Sequence, residues 1–246
     1  MRLKDKVAIV TGGGSGFGEG IVRKFVAEGA KVLIADRDEA NAKRVVDATG
    51  ARHIVADVSR AADAKAMLDE AERVFGGLHI LVNNAGVGHR PQPLEGLPED
   101  EFDRIAGVNM KAIYLAAREV VPRFKANRGG VILNIASTAG VSPRPNLAWY
   151  NASKGWVITA TRAMAVELAP FGIRVVALNP VAGDTPLLAT FMGGDTPENR
   201  ARFLASIPLG RLSTPADIGN AACFLCSDEA SMITGVAMEI DGGRCI

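Results

Sequence analysis

The 246-residue chain is 48% hydrophobic and carries 28 basic against 27 acidic residues, for a formal net charge of +1. That supplies enough apolar sequence for a full core, and the balanced, intermingled charge argues against a nucleic-acid stripe or a polybasic membrane anchor. The opening Met-Arg-Leu-Lys-Asp-Lys leads into an apolar run too short for a signal sequence or a membrane span, and three cysteines make no disulfide framework, so a cytoplasmic protein is expected.

The first apolar run, 7–10, passes into Thr-Gly-Gly-Gly-Ser-Gly-Phe-Gly before the helical pattern of 18–28. Five glycines between a strand and a helix leave bare N–H groups and the positive helix end at one turn, an arrangement suited to a pyrophosphate. Their spacing is not Gly-x-Gly-x-x-Gly, so the reading rests on position. A merely tight turn would account for one or two of them. Gly12, Ser15, Gly16, Phe17 and Gly18 are the candidate cofactor contacts. The second run, 31–35, closes on Asp36, eighteen residues after Gly18. A carboxylate there accepts hydrogen bonds from an adenosine ribose diol and repels a 2′-phosphate, which favours NAD. Arg37 can pair with that phosphate and keeps NADP as the alternative.

Further apolar runs at 53–56, 80–82, 131–135, 175–178 and 236–240 alternate with helical patterns at 39–48, 61–75, 101–125 and 150–169. Runs apolar on both sides and separated by helices mark a covered parallel sheet. The expected fold is α/β: a single domain over 1–246, with a Rossmann-like doubly wound parallel sheet of about seven strands and helices on both faces. The stretch 180–208 is the least regular, and 186–208 is expected to form a substrate lid, an ordinary surface excursion being the alternative. Cys223 and Cys226 lie in an apolar helical run without a second ligand pair, so they read as buried small hydrophobes and no metal site is expected.

Tyr150 and Lys154 stand four residues apart, with Ser137 thirteen residues before Tyr150. On a helix this spacing puts phenol and ammonium on one face. Free tyrosine ionises near pH ~10, so its use as a base at neutral pH needs a nearby cation. A solvated surface pair has the same spacing; the company of the glycine loop and Ser137 decides for hydride chemistry.

With these residues in place, the chain from its first strand to the closing Asp241-Gly242-Gly243 resembles the short-chain dehydrogenase/reductase family. Thr11-Gly12-x-x-x-Gly16-x-Gly18 is similar to the family's cofactor loop, Asp57-Val58 to its adenine contact, and Asn83-Asn84-Ala85-Gly86 to its strand-four motif. Asn109, Ser137, Tyr150 and Lys154 match its catalytic four. The resemblance implies that Ser137 holds the substrate oxygen and that Tyr150 exchanges the alcohol proton. It implies that Lys154 lowers the proton affinity of Tyr150 and binds the nicotinamide ribose, and that Asn109 orders a water leading from Lys154 to solvent. It adds Asn84, Ala85, Gly86, Pro180, Gly183 and Thr185 to the cofactor contacts, and a homotetramer with 101–125, 150–169 and the C-terminal segment at its interfaces.

Two departures bear on substrate. The family's Asn-Pro-Gly-x-Val/Ile-x-Thr reads Asn179-Pro180-Val181-Ala182-Gly183-Asp184-Thr185 here, so glycine and branched residue have exchanged places. Relatives that reduce 3-oxoacyl groups on acyl carrier protein with NADPH place an arginine where this chain has Phe171. A small-molecule alcohol or ketone is therefore the preferred partner, a carrier-protein reductase the alternative, and a non-catalytic dinucleotide sensor a third reading. Pocket walls are expected from 88–90, 138–146, Trp149 and 187–192. Arg90, Arg144 and His89 invite an anionic or polyhydroxylated substrate, against the plainer reading of a solvated face.

Overall fold

A computed structural model describes residues 1–194 and 196–246. Seven strands, β1 (Val7–Thr11), β2 (Lys31–Asp36), β3 (Arg52–Val55), β4 (Ile80–Asn83), β5 (Gly130–Ile135), β6 (Ile173–Pro180) and β7 (Ala237–Ile240), form one sheet in the order β3-β2-β1-β4-β5-β6-β7. Every pairing is parallel. The order reverses between β1 and β4, and the crevice beyond the carboxyl ends of these strands is where a doubly wound sheet receives a ligand.

The central strands are buried along their whole length because helices cover both faces. One apolar layer packs α1 (Gly16–Ala27), α2 (Glu39–Thr49) and α9 (Pro215–Cys226) on the sheet through Ile21, Phe25, Val45 and Ile218. The other packs α3 (Ala61–Phe75), α5 (Ala112–Ala126) and α6 (Ala148–Leu168) through Leu68, Phe124 and Leu168. The α1–α9 crossing is close because both helices carry glycine where they touch: a Cβ on Gly20 would stand 2.1 Å from the Pro215 carbonyl oxygen. Cys223 and Cys226 belong to this core, where burial pushes both thiols up.

Two regions differ from the sequence expectation. The helical pattern of 101–125 is three pieces: α4 (Glu99–Ala106), a π-helical turn at Gly107–Lys111, and α5. The extra residue of a π-turn rotates the following helix, a distortion frequent at functional sites. The stretch 180–208, expected to be irregular, contains α7 (Leu188–Met192) and α8 (Pro197–Ala205). The α8 helix is started by Pro197 and by Thr196, whose hydroxyl accepts from Asn199 N, signals that the apolar pattern alone did not expose. Asp195, inside the expected lid, lies outside the described residues. No helix among the described residues is long and apolar enough to cross a membrane.

Candidate active site

A cavity of about 890 Å³ opens over the carboxyl ends of β1, β2, β4, β5 and β6. Its dinucleotide end is built from the glycine loop. Gly12 and Gly16 have φ of +63° and +52°, values that disfavour a side chain. A Cβ on Gly18 would lie 2.1 Å from the Gly12 carbonyl oxygen, so Gly18 lets α1 start directly against the loop. Asn84 braces the turn from β4: its Nδ2 donates to the carbonyls of Thr11 and Gly12 at 2.9 and 3.1 Å, and its N–H donates to Thr11 Oγ1. The N–H of Ala85 shares that hydroxyl oxygen.

Asp36 ends β2 with Oδ2 accepting from Gly14 N and Oδ1 from Asp38 N. Arg37 is exposed beside it. Asp57 accepts from the N–H and hydroxyl of Ser59, and these hydrogen bonds hold its carboxyl below the usual range. The lining includes Gly12, Ser15, Gly16, Phe17, Gly18, Asp36, Arg37, Asp57, Val58, Asn84, Ala85, Gly86, Pro180, Gly183 and Thr185, so every expected cofactor residue meets one cavity. The exchanged glycine has a visible cause: a Cβ on Gly183 would stand 2.3 Å from the Phe17 ring. The larger side chain at 17 occupies the space that a residue at 183 would fill.

At the other end, Ser137, Tyr150 and Lys154 line the same cavity. Tyr150 lies in the first turn of α6 and Lys154 one turn further on, both buried. The turn bearing Ser137 abuts α6 because Gly140 has no side chain; a Cβ there would meet the Gly155 nitrogen at 2.7 Å. Ser137 Oγ accepts from Ala139 N at 3.1 Å. Burial raises the Tyr150 pKa, while a hydrogen bond with Ser137 and the charge of Arg144 act to lower it. Arg144 is a contributor that the Tyr150–Lys154 spacing gave no reason to name as one. Lys154 Nζ donates to the Ile135 carbonyl at 2.8 Å and lies 5.9 Å from the Tyr150 ring centroid. It forms no ion pair among the described residues, and burial alone holds it down to about 8. An unpaired buried cation beside a bare-backbone cradle suits the negative and hydroxyl-rich parts of a dinucleotide, so the residues present fit that group.

Asn109 sits in the π-turn, off the cavity lining, with its Oδ1 accepting from Val87 N at 2.9 Å. Its Nδ2 donates to the Val87 carbonyl and to Ser153 Oγ, each at 3.0 Å, and Ser153 Oγ donates to the Tyr150 carbonyl. The side chain thus ties the strand-four loop to the start of α6. Asn109 Oδ1 and Lys154 Nζ both lie within 3.6 Å of the point where a Gly86 Cβ would stand.

Of the expected walls, Gly88, His89, Arg90, Arg144, Leu187, Leu188, Thr190 and Phe191 line the cavity. Trp149 turns away, donating its Nε1–H to the Leu94 carbonyl and meeting Phe102 edge to face. Phe191 of α7 packs on Tyr150 with centroids 4.7 Å apart and fills the space over Gly88, where a Cβ would lie 2.4 Å from its ring. Sequence reasoning placed Phe191 in a wall without this contact; the adjacent pair of a bare glycine and a facing aromatic carries no spacing signal.

A parallel doubly wound sheet with a phosphate-type loop at one end of a cavity and a Ser-Tyr-Lys set at the other defines a dinucleotide-linked oxidoreductase. The chain belongs to the short-chain dehydrogenase/reductase family: a family model described as Enoyl-(Acyl carrier protein) reductase matches residues 12–244. It is 48% identical to 4-formylbenzenesulfonate dehydrogenase of Comamonas testosteroni, with 100% of each chain covered. It is 39% identical to 2-(S)-hydroxypropyl-CoM dehydrogenase 3 of Xanthobacter autotrophicus, with 98% of this chain and 97% of the relative covered. A solved structure of 3-ketoacyl-(acyl-carrier-protein) reductase from Brucella melitensis, complexed with NADH, superposes with a TM-score of 0.95 at 55% identity, covering 99% of this chain and 100% of that one.

Proposed function

We propose that the protein is an NAD(H)-dependent oxidoreductase that moves a hydride between a secondary alcohol or ketone and nicotinamide. The observation that carries this reading is the burial of Tyr150 and Lys154 one helical turn apart, with Ser137 beside them, at one end of a cavity whose other end is bare glycine backbone. The NADH complex of the similar reductase and the carboxylate of Asp36 at the β2 end support NAD.

The roles follow from chemistry. The glycine loop and Asp36 would hold the dinucleotide, with Asp57, Val58 and 84–86 along its length and Pro180, Gly183 and Thr185 beside the nicotinamide. When bound, the nicotinamide supplies the hydride acceptor or donor. Ser137 donates to the substrate oxygen and fixes its position. Tyr150 takes the alcohol proton in oxidation and returns it in reduction. Lys154 stabilises the tyrosinate by its charge and holds ribose hydroxyls. Asn109 is a positioning residue through Val87 and Ser153, and its remaining acceptor position can share a water with Lys154. The segment 186–208 would act as the lid, with Phe191 covering Tyr150. The chain would work as one domain in the cytoplasm.

The test is NAD reduction with a broad library of alcohols, followed by nicotinamide absorbance. Tyr150→Phe should retain NADH binding by fluorescence titration and lose roughly 10²-fold to 10⁴-fold or more in turnover. Near-normal turnover in that variant removes the proton-transfer role. A tenfold preference for NADP over NAD in catalytic efficiency would overturn the cofactor reading.

A second reading, a carrier-protein reductase, has the name of the similar solved structure in its favour. Against it, the position before Gly172 is Phe171, where such reductases place an arginine. Retention of the protein on immobilised acyl carrier protein would restore it.

A further inference from the structure

Arg144 is a charged group in the cavity wall for which the mechanism above requires no substrate contact. Its carbonyl accepts from Asn151 Nδ2 at 2.7 Å, which pins the loop after Ser137 to α6. Its guanidinium carbon lies 4.8 Å from the Phe203 ring centroid, stacked on α8 of the segment that covers the site. Among the described residues it has no carboxylate partner, and its electrostatic neighbours are Tyr150 and a second cation, Arg244. Arg244 likewise forms no ion pair among the described residues. A partly buried guanidinium with a second cation in its field carries both a desolvation cost and a repulsion, and an anion bound at the Arg144 guanidinium relieves both.

The cavity also supplies a hydrogen-bond acceptor. His89 is 2% exposed, and its Nδ1 lies 2.8 Å from the Arg90 carbonyl oxygen. A carbonyl only accepts, so this contact places a proton on Nδ1, and in the tautomer that it selects Nε2 is the acceptor nitrogen. That Nε2 is buried without a partner. The site is therefore asymmetric, with an unpaired cation on the lid side and an unfilled acceptor on the strand-four loop.

We propose that Arg144 determines specificity by anchoring a carboxylate-class oxyanion carried by the substrate, so that the reacting alcohol belongs to an acid rather than to a neutral molecule. The proposal rests on the oxidoreductase reading and names the substrate class for that same cavity. Stacking on Phe203 leaves the guanidinium edge free to pair bidentately, and closure of α8 over the site would be coupled to the presence of the anion.

The test uses benzoate and benzamide, a pair equal in size and differing in charge, titrated calorimetrically into the protein alone and into its NADH complex. Benzoate is expected to bind at least tenfold more tightly than benzamide, Arg144→Gln to erase that difference, and Arg144→Lys to restore part of it. As a check that needs no variant, benzoate and not benzamide should protect Arg144 from phenylglyoxal, read by mass spectrometry. Equal affinities, a difference that survives Arg144→Gln, or no measurable benzoate binding would overturn the proposal. So would an Arg144→Gln variant that slows neutral and acidic alcohols alike with a raised kinetic pKa, since that pattern belongs to a residue tuning Tyr150. Failure of NADH to bind counts against the oxidoreductase reading and leaves the benzoate titration of the protein alone to be read by itself.

Discussion

Lys154 shows what the site costs at the scale of a residue. A buried ammonium that donates to the neutral Ile135 carbonyl and forms no ion pair among the described residues is poorly compensated, and burial holds it down to about 8 against roughly 10.4 when unfolded. The unfolded chain binds more protons than the folded one between these values, so stability rises with pH across that window. Below about pH 8 the full penalty applies, on the order of 3 kcal/mol. Lys154→Met, of similar length and without charge, should therefore raise the thermal midpoint of the cofactor-free protein at pH 7 by roughly 4 °C or more while abolishing turnover. The gain should shrink as the pH approaches 10. Thermal melts of both proteins at pH 7 and 10 decide it; a lower midpoint for the variant at pH 7 would show that Lys154 is instead compensated in the folded chain. The Tyr150–Lys154 pair was legible in the sequence because one helical turn fixes one face. Arg144, Phe191 and the Asn109–Ser153 bridge were not legible as contacts, because each joins elements distant along the chain and no periodicity links them.

At the scale of elements, every expected strand run falls on a strand; the central ones are buried and so must be apolar throughout, while the edge strands β3 and β7 are only partly buried. The π-turn at Gly107–Lys111 escaped because one extra residue barely disturbs an apolar period, and α8 escaped because its start is set by a cap rather than by a stripe. The Phe17–Gly183 contact joins α1 to the turn after β6 and explains a departure that the sequence could only register. Gly183 has no positive φ, so Gly183→Ala is opposed by space rather than by backbone, and its Cβ would overlap the Phe17 ring. We expect a loss of about 1–3 kcal/mol, with most of it recovered in Phe17→Leu/Gly183→Ala. Urea midpoints of the four proteins in the cycle measure the coupling; additive losses would mean that the two positions do not share this space.

For the whole molecule, the outward face of α6 is the feature that a lone chain leaves unexplained. Ala152, Trp156, Thr159, Ala163 and Val166 are all exposed, Val166 at 80%, and they recur at alternating spacings of four and three residues. That spacing is the one expected of a seam on which another helix packs, since a solvated face at these positions would be expected to carry charge. The inward face of α6 is already satisfied by the sheet, through Val157, Thr161, Ala165 and Leu168. Small residues at 152, 159 and 163 would let a partner backbone approach closely, with Trp156 and Val166 filling the space at either side. Family resemblance names the same helix as an interface of a homotetramer, so the expected mass in solution is about four times the 25.8 kDa chain. Ala163→Glu/Val166→Glu puts two carboxylates on the seam while leaving the sheet-facing residues and helix propensity intact, so it should give smaller species with an unchanged far-ultraviolet spectrum. Light scattering coupled to gel filtration separates the outcomes: a wild-type mass near one chain, or a double variant still four chains in size, would show that this face of α6 does not hold an assembly together.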